Sequence, residues 1–451
     1  MVPWSSTPTT CPNGTDGITG HGLLVRAAER LGGVVLPWSY LTLGTLALPL
    51  SFRFELVRRQ QTAEPRLPVG VEAGPHEVAL AVGLAGSFGR RTGRRDRGPL
   101  RRDGALQVTG GLAITVAGQV PIAELGPTSM HEHLWMDSSP LLAVHGYADD
   151  DLGPWDADVA AEARWNPGVH PDNYRLTDAD LAVDEIAPFV AAGGRTIVEL
   201  TPPSLGRDPV RVRTIAQRSG VHVVQGTGQY LGPTHEPWVA DASEAQITAR
   251  LVADATTGIG ETDIRAGILG EIGTSDPVRP AEVHVLRAVA AAARETGLAV
   301  SVHLHPWGHQ GPAVLHVMEA AGARSERIVL GHLSTAIDRP DELRAMADRG
   351  AVLGFDLFGF DHSLLGLGRW PRSDRDVAAT IVALVEDGYG DRIVLGQDVG
   401  VRTRLRRWGG WGYAHLLEHI VPLLRELGIG DAALKAMLVT TPARLLEVRP
   451  G

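Results

Sequence analysis

From Val108 onward the chain alternates short apolar runs with longer amphipathic stretches, and this alternation limits the fold more than any other feature. The runs lie near residues 126–130, 196–200, 221–226, 266–272, 299–303, 328–332, 351–356 and 393–398. Most are near-continuous in Val, Ile and Leu, as expected of parallel strands covered on both faces. Between them, stretches such as AEVHVLRAVAAAARE at 281–295, and those at 341–349, 376–387 and 415–427, carry helical periodicity. A hairpin-like lead, QVTGGLAITVAGQVPI, precedes the first run. Eight runs alternating with helices predict a (β/α)8 TIM barrel. An open doubly wound sheet would place a glycine-rich phosphate loop after its first strand, where this chain has HEH instead.

Polar residues fall where these runs end. The first ends at His131 and His133 in TSMHEHLWMD, the fourth at Glu271, the fifth at His303, the sixth at His332 and the eighth at Asp398. In a barrel such ends converge on one mouth. One ionisable strand end is usually a hydrogen-bonded loop residue, but four imidazoles and two carboxylates together suit one or two divalent ions, Zn²⁺ first and Mn²⁺, Co²⁺ or Fe²⁺ as alternatives. Glu132 alternates away from its two neighbours and reads as structural. His305 follows His303 by two and is a candidate substrate contact, while Trp307, Trp408 and Trp411 are loop residues suited either to wall an apolar pocket or to pack for stability. Asp208 fits a helix N-cap. His284 and His316 fall in helical patterns and read as solvated. HLLEH at 415–419 matches a metallopeptidase signature, but only 32 residues follow His419 in which a third ligand could lie. An ordinary helix pair is the better reading of His415 and His419.

The net charge of −10 argues against general nucleic-acid binding, and the single Cys11 excludes an intramolecular disulfide or a cysteine metal cluster. Charge is unevenly spread, with 13 Arg against 8 Asp and Glu over residues 1–105. Seven arginines between Arg90 and Arg102 read as a solvated linker, and the uncharged stretch 34–52 is a weak membrane candidate broken by Pro37, Gly44 and Pro49. Residues 1–105 are expected to be a poorly ordered, non-catalytic extension, which an upstream start codon would explain, and residues 106–451 the barrel. A cytoplasmic enzyme acting on a small molecule, without nucleic-acid or membrane partners, is expected; a homodimer is compatible with the sequence.

The pieces GPTSMHEHL, TPPSLGRDP, GTGQY, AGILGEIGTS, SVHLH, IVLGHLS, GAVLGFDLFG, IVLGQD and GGWGYAHLL occur in an order that resembles the phosphotriesterase-like branch of the amidohydrolase superfamily, over residues 108–449. The resemblance implies a barrel holding two divalent ions bridged by a hydroxide. His131, His133 and Asp398 would bind the more buried ion, and His303 and His332 the more exposed one. Asp398 would accept the proton of the attacking water. The bridging ligand in this family is often a carboxylated lysine; here Glu271 stands at that position, and the only lysine is Lys435 near the C-terminus. Tyr230 matches an aromatic position that orients substrate in lactone-hydrolysing relatives. The implied activity is metal-dependent hydrolysis of an ester, lactone or phosphoester, with amide or cyclic-amide hydrolysis by the same site as the alternative. A non-catalytic binding barrel would have no reason to keep Asp398 and Glu271. The loop at 361–374 is the expected specificity or lid element.

Overall fold

The computed structural model describes residues 110–144, 153–360 and 370–448. Residues 1–105, with the uncharged stretch and the arginine run, and most of the 361–374 loop lie outside the described residues. Eight parallel strands form the barrel: β1 (Thr128–Glu132), β2 (Thr196–Glu199), β3 (His222–Thr227), β4 (Ile268–Gly273), β5 (Val300–His303), β6 (Ile328–Leu330), β7 (Val352–Phe355) and β8 (Ile393–Leu395). They pair in sequential order, and the ring is drawn shut where the Asp398 amide donates to the His131 carbonyl oxygen at 3.0 Å. Gly396 makes that approach feasible, because a Cβ there would lie 3.0 Å from the His131 amide nitrogen.

Helices follow the strands: α1 (Ala179–Ala191), α2 (Pro209–Ser219), α3 (Glu244–Thr256), α4 (Pro280–Thr296), α5 (Gly311–Ala320), α6 (Pro340–Asp348) and α7 (Asp374–Glu386). Side chains that satisfy orphan amides start several of them. Asp178 accepts from Asp180 N and Leu181 N, Asp208 from Val210 N and Arg211 N, and Ser243 forms a capping box with Gln246. The helix after β8 begins as a wide π turn over Leu416–Ile420 and continues as an α-helix over Val421–Glu426. Pro422, which has no N–H and whose ring crowds the preceding turn, accounts for the widening.

The strands are buried along their whole length, apart from the half-buried His222 at the start of β3, because helices cover the outside and side chains fill the inside. Met130, Val198, Val224, Ile268, Val329, Val352 and Val394 form the inner cluster, closed below by Ile122, Leu125, Leu445 and Leu446. The lead hairpin (Leu112–Thr115 with Gly118–Pro121) pairs with the C-terminal segment at Ala113 and Glu447. One end of the barrel is thus plugged with hydrocarbon, which leaves the other for polar chemistry.

Candidate metal centre and active site

All six strand-end residues meet at the open end, and five of them are almost completely buried. His131 and Glu271 come from strands three apart around the barrel, yet His131 Nε2 lies 3.6 Å from Glu271 Oε1 and 3.6 Å from Asp398 Oδ1. His133 Nε2 lies 3.1 Å from Asp398 Oδ1. Glu271 Oε1 also lies 2.8 Å from His303 Nδ1 and 3.3 Å from His332 Nε2. The ligand atoms fall into three overlapping sets, each within 4.8 Å: His131, His133 and Glu271; His131, His332 and Asp398; Glu271, His303 and His332.

This donor set fits divalent ions. His131 Nε2 is buried without a hydrogen-bond partner, a costly arrangement unless a cation takes its lone pair. His332 Nε2 and His303 Nδ1 lie 2.8 Å apart, too close for two lone pairs with nothing between them. A metal or a proton must sit there. Burial opposes charge on His131, but Glu271, then Asp356 and Asp398, raise its pKa to about 9. Burial likewise favours a neutral Glu271, yet His303 and His131 hold it well below the usual carboxylate range. Burial and the neighbouring His332 lower His303. The cluster thus balances imidazoles against carboxylates in a water-poor space.

Outer groups aim these ligands. Asp356, at the end of β7, spans two of them: Oδ2 lies 3.1 Å from His131 Nδ1, and Oδ1 lies 3.1 Å from His332 Nδ1. Gly331 leaves room for that carboxylate, since a Cβ there would lie 2.9 Å from Asp356 Oδ2. His133 Nδ1 meets Thr201 Oγ1 at 2.9 Å, and Thr201 donates in turn to Glu199. A hydroxyl that gives its proton to a carboxylate accepts from the imidazole, which leaves His133 Nε2 as the lone pair facing Asp398. Sequence reasoning missed Asp356, Glu199 and Thr201, although Asp356 sits at a strand end like the six it found.

Above the cluster lies a cavity of about 240 Å³, reached by His133, Glu271, His303 and Asp398 and walled by Met136, Leu141, Leu205, Trp307, Phe360 and Arg404 among others. Tyr230 and His305 also line it, as the sequence suggested. The Tyr230 hydroxyl lies 3.3 Å from His303 Nδ1, and burial raises its pKa well above the ordinary value, so it carries a proton to donate. Trp411 does not line the cavity: it is 43% exposed and stacks on His415 with centroids 4.7 Å apart. Trp408 packs against Trp155. Where either ring lies depends on how the loop after β8 packs, which local sequence does not encode. His284 is a smaller correction, half-buried and within 2.8 Å of the Ala242 carbonyl oxygen, whereas His316 is exposed as expected. His415 pairs with Asp374 at 2.7 Å, and neither it nor His419 belongs to a candidate ligand set among the described residues.

Fold and site together define a metal-dependent hydrolase built on a barrel. The profile of the phosphotriesterase family matches residues 112–446, and the chain belongs to that family. An N-acetyltaurine hydrolase from Dictyostelium discoideum is 30% identical over 361 residues, covering 74% of this chain and 97% of its own length. Among solved structures, a resiniferatoxin-binding protein from Rhodobacter sphaeroides is 37% identical with a TM-score of 0.71, over 76% of this chain and 97% of that one. The phosphotriesterase homology protein from Escherichia coli, complexed with phosphate in its active site, is 27% identical with a TM-score of 0.62, over 72% and 99%.

Proposed function

We propose that this protein hydrolyses the amide bond of a small N-acyl amine. What supports an amide over the ester, lactone or phosphoester expected first is the relative named N-acetyltaurine hydrolase, similar over 97% of its own length. In this reading His131, His133 and Asp398 would hold one divalent ion and His303 and His332 a second, with Glu271 within reach of both sets. Bound there, two such ions, zinc in our reading, supply a more acidic water and a Lewis acid for the scissile carbonyl.

The chain's own residues do the rest. Asp398 takes the proton of the attacking water and delivers it to the departing nitrogen, a delivery an amide needs because an unprotonated amine is a poor leaving group. The Tyr230 hydroxyl donates to the carbonyl oxygen as charge grows on it. The apolar walls exclude water and seat the acyl group. Arg404 lines the same cavity with its Nη2 donating to the Phe358 carbonyl oxygen at 2.6 Å, and its positive charge favours an anionic end of the amine. Esters and lactones are the second reading, favoured by Tyr230 beside the cluster. The same reading keeps a cytoplasmic enzyme; among the described residues no helix is long and apolar enough to cross a membrane.

The test is a hydrolysis screen on purified, metal-analysed protein, pairing N-acyl amines with aryl esters, lactones and phosphotriesters of matched size. Amide turnover lost to a chelator and restored by metal supports the reading. Turnover confined to esters or lactones overturns it.

A further inference from the structure

Glu132 stands between two ligand histidines and reaches none of the candidate ligand sets. It is fully buried and points instead into the seam between β1 and β8. Four donors meet it there. Oε1 accepts from the Ser129 hydroxyl at 2.6 Å, the Gln397 amide at 3.1 Å and the Gln397 side chain at 3.0 Å, and Oε2 accepts from the Val399 amide at 3.0 Å. The two backbone donors flank Asp398, whose own amide goes to the His131 carbonyl oxygen at 3.0 Å. Three consecutive N–H groups are therefore drawn to one edge of β1.

That pull coincides with an unusual backbone. Asp398 has φ +53°, in the left-handed region that a side chain adopts at a cost. Successive amides around a left-handed residue form a concave nest for an anion. Here the nest is filled by the Glu132 carboxylate. We propose that Glu132 is a positioning residue that holds residues 397–399 in this turn and so aims the Asp398 carboxylate at His131 and His133. Burial pushes the Glu132 carboxyl up, and the hydrogen bonds from Ser129, Val399 and Gln397 oppose that push by favouring the anion. The inference rests on the role given to Asp398 above.

The test uses the full chain loaded with Co²⁺, whose visible absorption reports its ligands. Wild type, Glu132→Gln, Glu132→Asp and Asp398→Asn are loaded and dialysed, then compared for Co²⁺ per chain, spectrum and melting temperature. Glu132→Gln puts an amide among four donors and should reproduce the spectral change and metal loss of Asp398→Asn. Its affinity should fall about 10–100-fold, the scale of groups behind metal ligands. Glu132→Asp, which keeps the charge, should recover part of it. If Glu132→Gln fails to fold, Ser129→Ala removes only the hydroxyl contact and should give the same change in smaller measure. A purely structural seam would lower the melting temperature and leave spectrum and metal count untouched, which overturns the inference. If Asp398→Asn itself changes neither, the role of Asp398 fails, and the inference with it.

Discussion

Asp398 and His332 both carry left-handed backbones, with φ of +53° and +61°, immediately beyond strands that are otherwise regular. Strand periodicity alone predicts extended backbone there, and the sequence reading ran β6 and β8 on to these residues. The observed strands stop at Leu330 and Leu395, and the left-handed turns beyond them bring each side chain to the cluster. As the proposed proton acceptor, Asp398→Asn should fold and lose about 10²–10⁴-fold in kcat, the range for a general acid–base group. Activity within a few-fold of wild type would remove it from the mechanism. A second prediction concerns pH. Without metal, His131 has a pKa of about 9, so at neutral pH a proton occupies the imidazole that an ion needs. Metal uptake must displace it, together with the protons of His133 and His332, whose pKa values are raised as well, so apparent affinity should rise with pH by about tenfold per unit for each proton released. Metal titrations at three pH values between 6 and 8 read this slope; a flat profile would place His131 outside the ligand set.

At the scale of elements, the strand ends were readable because each places one ionisable residue after an apolar run, a contrast periodicity exposes. Asp356 obeys the same rule in GFDLFG, following an apolar run as Glu271 does in ILGEIG, yet the sequence reading does not single it out. Glu199 closes β2 in the same way, but its role and that of Thr201 behind His133 exist only once β1 and β2 lie side by side. The HLLEH segment shows the opposite failure of local reading. His415 and His419 share a helical face, but that face packs against Asp374 and Trp411. His415→Ala and His419→Ala should each leave metal content unchanged, whereas His131→Ala or His303→Ala should lower it by at least one ion per chain. Elemental analysis after dialysis separates the two sets, and the reverse pattern would move the centre to the helix.

For the molecule as a whole, the barrel was legible because it repeats one unit eight times, while the cavity's shape was not, because it belongs to loops of unequal length. The family match spans residues 112–446, and the inner cluster closes on itself from Ala113 to Leu446. We propose that residues 1–105 are dispensable: a chain beginning at Leu106 should be soluble, hold metal and keep its turnover number, and insolubility relative to the full chain would move the boundary. The central claim, that these six side chains would hold two ions for the hydrolysis of an N-acyl amide, is tested most directly by following amine release from N-acetyltaurine. The metal-loaded enzyme, its chelated form and the reloaded form are compared. The account predicts release by the first and third and none by the second. Continued release after chelation would contradict it, as would hydrolysis of a matched ester or lactone while no N-acyl amine in the screen is cleaved.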